Sequence, residues 1–351
     1  MTATTETTAR SAEKFRVTRS RRNVAWTGAG VLIVVVVLAL FPYIVYSSTT
    51  SIMVQAFIVL TLASMWNLLA GYGGLVSVGQ QGFVGIGAYI VLILNIHGVS
   101  MFTGVPIAAI GSGICAIPLW WLVSRLRSGY FAIATWVLAT TVMLLIELNS
   151  AWGSGTGMSM PNMPNLSDAL LTAYTYWIGL AVTVLALAGM YLLLRGRVGL
   201  TLTAIRDDEV AARSSGVRVG YTRMLVFVIA GIGCGAAGGV LAISQFTIEP
   251  GAVFSVEWTA KMAFAVVIGG IGTIEGPIIG TIVYMVLQQS LASDGAWYFI
   301  VLGLVAMLIV IVLRRGLWGE ADERLHIRLF PVGYWLWTPG QRRRGLLSRR
   351  G

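Results

Sequence analysis

The stretch NLLAGYGGLVSVGQQGFVGIGAY, residues 67–89, contains seven glycines and no charged side chain. It is long enough to lie within a lipid bilayer, because about 20 apolar residues cross the hydrocarbon core. Glycine at this density lets neighbouring helices approach closely, and it also lets a helix unwind where the freed backbone faces a protected polar cavity. The stretch therefore predicts either tight helix packing or a helix that is broken inside the membrane.

The rest of the chain has the composition of a membrane protein. Of its 351 residues, 57% are hydrophobic and 11% are charged, and the mean hydropathy is +0.82. Such values indicate that lipid surrounds most of the chain. They predict an all-α polytopic membrane protein with about ten transmembrane helices, some broken at glycine-rich segments. The expected apolar segments are 24–46, 52–70, 78–97, 104–123, 130–149, 172–194, 224–248, 257–270, 276–291 and 297–313.

The arginines predict how these segments are oriented. They cluster before the first segment and after the fourth, sixth and tenth, whereas the alternate loops contain none. Cationic loops are retained in the cytoplasm, so both termini are expected there. The net charge of +10 then suits an anionic lipid surface better than nucleic acid. The predicted domains are a basic cytoplasmic arm at 1–23, a transmembrane domain at 24–318 and a basic cytoplasmic tail at 319–351.

A second glycine-broken stretch, VIGGIGTIEGPIIG, occupies residues 267–280. Paired broken segments in the two halves of a membrane protein are typical of a substrate route. Dividing the chain near residue 160 leaves five segments on each side, so inverted five-helix repeats are possible. The alternative is that the glycines only pack helices and the amides only join them by hydrogen bonds. The candidate pathway residues lie in these two stretches and are Asn67, Gly71, Gly74, Gln80, Gln81, Gly82, Gly269, Gly270, Gly272, Glu275 and Gly276.

Charge is concentrated in AIRDDEVAARSSGV, residues 204–217, between the sixth and seventh segments. The pattern predicts one helix over 201–216, with Asp207 and Asp208 in its early turns, a Glu209–Arg213 pair at i, i+4, and Gly216 as its stop. Consecutive carboxylates point in different directions on a helix, which disfavours a metal site. Flanking arginines keep them ionised, which disfavours acid–base catalysis.

Two interpretations of this helix remain, a solvated connection and a docking helix for a cytoplasmic partner. Docking is favoured because small residues between the charges would form a thin face that fits a groove. These small residues are Ala204, Ala211, Ala212, Ser214, Ser215 and Gly216.

The chain shows no energy source of its own. Its two lysines are Lys14 and Lys261, and neither follows a G-x-x-x-x-G run, so no phosphate-binding loop is present. We therefore expect no enzyme activity, no catalytic residues, no metal and no cofactor in this chain. Lys261 follows Glu257 at i+4, which predicts a local ion pair. Cys115 and Cys234 lie in apolar segments and are expected to pack between helices.

In combination, residues 67–89, 204–217 and 269–280 resemble the membrane permease subunits of ATP-binding-cassette importers for branched-chain amino acids, of the Leu/Ile/Val M type. The resemblance covers roughly residues 25–318 and implies a multi-pass permease in the bacterial cytoplasmic (inner) membrane that works by alternating access. It also implies a coupling loop at 195–223, whose contact residues are expected to be Ala204, Arg206, Asp207, Asp208, Glu209, Ala211, Ala212, Arg213 and Gly216.

The resemblance further implies partners. These are a sister permease that forms a heterodimer, two cytoplasmic subunits that bind ATP and Mg, and an extracytoplasmic substrate-binding protein. Membrane lipid is expected around the chain, and nucleic acid is not. Importers of urea or short amides share the architecture and remain an alternative. A cation-coupled secondary transporter is a further alternative, although the sequence does not assemble the intramembrane acidic relay that it would need.

Overall fold

The computed structural model describes residues 16–18, 21–126, 129–291, 297–313, 316–325 and 335–337. Every predicted apolar segment contains a helix within this part of the chain, which confirms the all-α class. In chain order the helices are α1 (Arg21–Leu40), α2 (Ser47–Asn67), α3 (Gln81–Ile96), α4 (Met101–Val123), α5 (Gly129–Glu147), α6 (Asp168–Arg195), α7 (Arg197–Asp207), α8 (Glu209–Ser214), α9 (Val219–Gln245), α10 (Pro250–Val253), α11 (Val256–Gly269), α12 (Glu275–Leu291), α13 (Trp297–Val312) and α14 (Gly316–Leu325).

Short elements complete the described chain. A π-helical turn extends α2 over Leu68–Tyr72, and 3-10 turns lie at Phe41–Tyr43, Ser150–Trp152 and Ser154–Thr156. Two antiparallel strand pairs join distant parts of the chain: β1 (Arg16–Thr18) with β4 (Trp335–Trp337), and β2 (Met158–Ser159) with β3 (Thr247–Ile248).

Six helical stretches among the described residues are long and apolar enough to cross a membrane, which makes the chain a multi-pass membrane protein. The apolar helices Gly30–Tyr43 and Gln81–Ile96 are shorter. The count of about ten crossings, the cytoplasmic position of the termini and the inverted repeats stay predictions. The six stretches are Ser48–Tyr72, Met101–Val123, Gly129–Glu147, Asp168–Arg195, Val219–Gln245 and Pro250–Gly269.

Helix α9 lies at the centre of the bundle and packs closely on α3 and α4. Its glycines make this possible. A Cβ at Gly238 would collide with the carbonyl of Val84 on α3, and one at Gly235 would collide with Ser112 on α4. On α12, a Cβ at Gly280 would collide with a backbone carbonyl of α11. The prediction that glycines bring helices into close contact is therefore confirmed.

The predicted domain boundaries fall within helices at both ends. Helix α1 begins at Arg21, inside the predicted arm 1–23, and α14 crosses the predicted boundary at 318. Most of the arm and most of the tail 319–351 lie outside the described residues.

Candidate functional site

The first glycine-rich stretch interrupts helical structure, which is one of the two outcomes that its sequence predicted. Helical structure ends at Tyr72 and resumes at Gln81. The intervening segment is held by polar contacts: Ser77 donates to Thr135 Oγ1 on α5 at 3.2 Å, and Trp66 Nε1 donates to the Ser77 carbonyl at 3.0 Å. The bond from Trp66 satisfies one backbone carbonyl of this segment, and a non-helical segment among membrane helices requires such partners.

The first turns of α3 and α11 meet next to this break. Thr259 of α11 donates to Gln81 Oε1 at 2.5 Å and also approaches the Val78 carbonyl at 3.4 Å. The neighbouring Gln80 is fully buried, and its amide oxygen lies 4.0 Å from the Cys234 sulfur on α9. The predicted role of Cys234 in helix packing fits this position. For Gln81, the interpretation as a hydrogen bond between helices describes the geometry observed.

The second glycine-rich stretch forms a turn between α11 and α12. Asn67, at the end of α2 and fully buried, binds this turn twice. Its Oδ1 accepts from the Gly272 N–H at 2.8 Å, and its Nδ2 donates to the Thr273 carbonyl at 2.7 Å. Gly272 has φ +79°, which favours glycine. Asn67 therefore joins two broken stretches that lie about 200 residues apart in sequence, and we call this arrangement the Asn67 clamp.

The candidate pathway residues fall into two groups and one separate glycine, and their role in lining a passage stays a prediction. Seven lie at or beside the clamp, three lie at the start of α3, and Gly74 is exposed apart from both. The buried Glu275 begins α12, where a carboxylate favours the positive end of the helix dipole. The clamp group is Asn67, Gly71, Gly269, Gly270, Gly272, Glu275 and Gly276, and the α3 group is Gln80, Gln81 and Gly82.

The charged loop is two helices, so the prediction of one helix over 201–216 is wrong. Helix α7 ends at Asp207, and Asp208 is extended, with φ −157° and ψ 111°. The Asp208 Oδ1 accepts from the N–H groups of Val210 and Ala211 at 2.8 and 3.0 Å. A carboxylate that caps a new helix competes with continuation of the preceding one. Asp207 and Asp208 therefore do not lie in the early turns of a single helix.

Glu209 anchors α8 to the membrane bundle. It forms the predicted i, i+4 ion pair with Arg213 at 2.6 Å and a second pair with Arg223 of α9 at 3.0 Å. The second pair was not predicted, because Arg223 lies outside the local helical pattern. Asp208 caps α8 while Glu209 binds arginines, so these two carboxylates are committed to separate contacts and do not converge on a common ion.

The small residues do not form a single thin face, so that expectation is also wrong. Ala212 is buried with Ile205 and Val219, and Ala204 packs on the same cluster. The outer surface of α8 is instead formed by exposed residues around Val210, whose side chain is 74% exposed. Gly216 ends the segment as predicted, with φ +84°. We define the α8 face as the exposed residues Val210, Ala211, Ser214 and Ser215.

Arg206 connects this loop to the Asn67 clamp. A Cβ placed on Gly272 would lie only 2.7 Å from Arg206 Nη1 and 3.4 Å from the Gly71 carbonyl. The guanidinium of the loop therefore rests on the same glycine that Asn67 holds. Arg206 and Gly272 are 66 positions apart in sequence, which explains why the local pattern did not predict this contact. The result is a continuous series of contacts from α7 through the turn to α2.

The comparisons with known proteins agree with this architecture. The family described as "Branched-chain amino acid transport system / permease component" matches residues 48–313. The high-affinity branched-chain amino acid transport system permease protein LivM of Escherichia coli is 28% identical over 327 residues, 85% of this chain and 76% of the relative. LivM of Salmonella typhimurium is 26% identical over 322 residues, 84% of this chain and 75% of the relative.

A permease named for sugars is also similar. The galactose/methyl galactoside import permease protein MglC of Haemophilus influenzae is 26% identical over 291 residues, 75% of this chain and 85% of the relative. No solved structure matches the chain significantly.

Proposed function

The chain belongs to the family of branched-chain amino acid transport system permease components, and from this premise we propose that it is one permease subunit of an ATP-driven importer of branched-chain amino acids. The match over residues 48–313 and the LivM relatives, which align with about five sixths of the chain, support this proposal. The arginine distribution supports a position in the bacterial cytoplasmic membrane with both termini inside.

The importer would consist of this chain, a sister permease, two ATP-binding subunits and an extracytoplasmic binding protein. The chain contributes the passage and the docking loop. ATP and Mg are bound by the partner subunits, which agrees with a sequence that has no phosphate-binding loop. Alternating access, in which the passage opens to one side of the membrane at a time, is the proposed mode of transport.

One observation carries the proposal for coupling, namely the continuous contacts from the loop to the glycine turn. The α8 face docks on an ATP-binding subunit, and Arg206 and the Asn67 clamp pass its displacement to α11, α12 and α2. Two contacts that hold α8 in place support this route. Asp208 caps α8, and Glu209 forms an ion pair that ties α8 to α9. A capped helix with an exposed apolar residue in its first turn suits insertion into a groove.

Other substrates are compatible with the same architecture, and an uptake assay separates them. Importers of urea or short amides share it, and the similarity to a galactoside permease adds sugars. Labelled leucine, urea and methyl galactoside are offered in turn to cells that carry the complete importer. Leucine uptake that depends on the ATP-binding subunits supports the proposal. Uptake without those subunits would favour a cation-coupled secondary transporter instead.

Docking by the α8 face is tested with Ala211→Trp in the reconstituted importer. A bulky ring on this exposed position should block insertion into a partner groove, so substrate-stimulated ATP hydrolysis should fall at least tenfold. The matched control is Ala169→Trp, which adds the same ring to an exposed first turn at the opposite end of α6. Normal membrane insertion is checked for both variants. Full stimulation in the Ala211→Trp variant would contradict docking at this face.

A further inference from the structure

A cavity of about 320 Å³ lies at the end of the bundle opposite the α7–α8 loop. Helix α6 shows this opposition directly, because its first two turns border the cavity and its last residue leads into α7. The volume is at the lower end of the range of about 300–1,000 Å³ that small-molecule sites occupy. Residues from α2, α6, α9, α11 and α12 line it, among them Gln55, Thr175, Gln245, Trp258, Lys261 and Gln288.

Lys261 places a positive charge on the cavity wall. Its Nζ lies 2.7 Å from Glu257 Oε1 and 4.4 Å from the centre of the Trp258 ring, which confirms the predicted ion pair. The Lys261 side chain is 15% exposed, whereas the Glu257 side chain is 42% exposed. An ionised side chain within an apolar helix is costly and usually faces a passage or a cavity. Pairing with Glu257 lowers this cost but leaves the ammonium bordering the cavity.

The remaining polar groups suit a small polar ligand. Gln55, Gln245 and Gln288 border the cavity, and their side-chain amides make no hydrogen bond to any described residue. Each amide can donate through its NH₂ and accept through its carbonyl oxygen. Together with Lys261 they offer donors for a carboxylate and acceptors for an ammonium group.

Apolar side chains complete the lining of the cavity. Val54, Ile58 and Leu241 are among them, and each is at most 3% exposed. A cation, three amides and aliphatic side chains in one cavity match the charged and apolar parts of an aliphatic α-amino acid. A sugar would use the amides but would leave the ammonium of Lys261 without a charged partner from the ligand.

We propose that this cavity is a loading site for the transported amino acid and that Lys261 binds the substrate carboxylate. The proposal rests on the proposed function and deepens it, because it assigns the charged recognition step to one residue. The glutamine amides bind the substrate ammonium group, and the apolar lining residues accept its side chain. When the substrate binds, its carboxylate replaces that of Glu257 as the partner of the Lys261 ammonium group.

The test uses labelled L-leucine uptake by the complete importer. Lys261→Met should lower the maximal uptake rate at least tenfold, and Lys261→Arg should restore part of it because it keeps a cation at the wall. The exchange variant Glu257→Lys/Lys261→Glu restores an ion pair on α11 but moves the cation by one turn. It should therefore keep the thermal unfolding temperature of the unaltered protein and still transport poorly.

The outcomes separate a binding role from a structural one. Full uptake in the exchange variant would show that only the ion pair matters and would overturn the proposal. Full uptake in the Lys261→Met variant would overturn it as well, while leucine import by the unaltered importer would leave the proposed function standing. Absence of leucine uptake in the unaltered importer would instead overturn the proposed function itself.

Discussion

Replacing Asn67 with leucine removes the clamp between the two broken stretches while nearly preserving the side-chain shape. The change deletes both hydrogen bonds to the turn, at 2.7 and 2.8 Å. The Gly272 N–H and the Thr273 carbonyl then lose the partner that Asn67 supplied. Each orphaned group is partly buried and costs up to about 1–3 kcal/mol, so the variant should lose up to about 2–6 kcal/mol of the free energy that attaches the turn to α2.

This loss should appear in transport more than in folding. About 2 kcal/mol changes the ratio of attached to detached turn by about 30-fold. The turn would then follow Arg206 without moving α2, so the importer should hydrolyse ATP with little leucine uptake. The ratio of leucine imported to ATP hydrolysed is measured in proteoliposomes that contain the complete importer.

Asn95→Leu provides the matched control. Asn95 is also fully buried, and its side chain binds the N–H and carbonyl of Asn162 at 3.1 and 2.9 Å at the other end of the bundle. Both variants should unfold at similarly reduced temperatures, but only Asn67→Leu should lower the ratio of uptake to hydrolysis. An equal ratio in the two variants would refute the proposal that the clamp carries the coupling.

Two further predictions concern the helices that position these contacts. Asp208→Ala should destabilise α8 by about 0.5–2 kcal/mol, because two backbone N–H groups lose their cap. Amide hydrogen exchange over 209–214 should become faster in this variant. Asp208→Ser should retain most of the protection from exchange. Gly280→Ala should lower the thermal unfolding temperature because its Cβ meets the Ala265 carbonyl. Gly189→Ala, with open space around the new atom, should leave the temperature unchanged or raise it; a drop as large as that of Gly280→Ala would contradict the packing argument.

The helices were predictable because the bilayer imposes a simple rule on sequence. Uninterrupted apolar runs of about 20 residues must satisfy their backbone internally, so they become helices. The break between Tyr72 and Gln81 was also foreseeable, because glycine at that density weakens a helix and a buried polar wall can satisfy the freed groups. The break at Asp208 was missed, since alanines and an i, i+4 ion pair around it favour a continuous helix.

The contacts that connect distant elements could not be predicted from local patterns. The sequence made Asn67 a pathway candidate or, alternatively, an amide that joins helices, but nothing in its surroundings identified Gly272 and Thr273 as its partners. The contact of Arg206 with the turn and the pair between Glu209 and Arg223 depend in the same way on how whole helices pack. The predicted pair of Lys261 with Glu257 was local, whereas the cavity beside it needs five helices.

Helix α11 connects the cavity at one end of the bundle to the clamped glycine turn at the other. It contains no proline, and its only glycine is its last residue, Gly269, which adjoins the clamped turn, while Lys261 lies in its second turn. Its 14 residues measure about 21 Å, so tilting it by about 10° about one end would sweep the other end through about 3.7 Å. Lys261 lies eight residues, about 12 Å, from Gly269, so the same tilt about Gly269 would move it by about 2 Å and change how the cavity binds a carboxylate. The ATP-driven movement of α11 and the release of the substrate would then occur in one step.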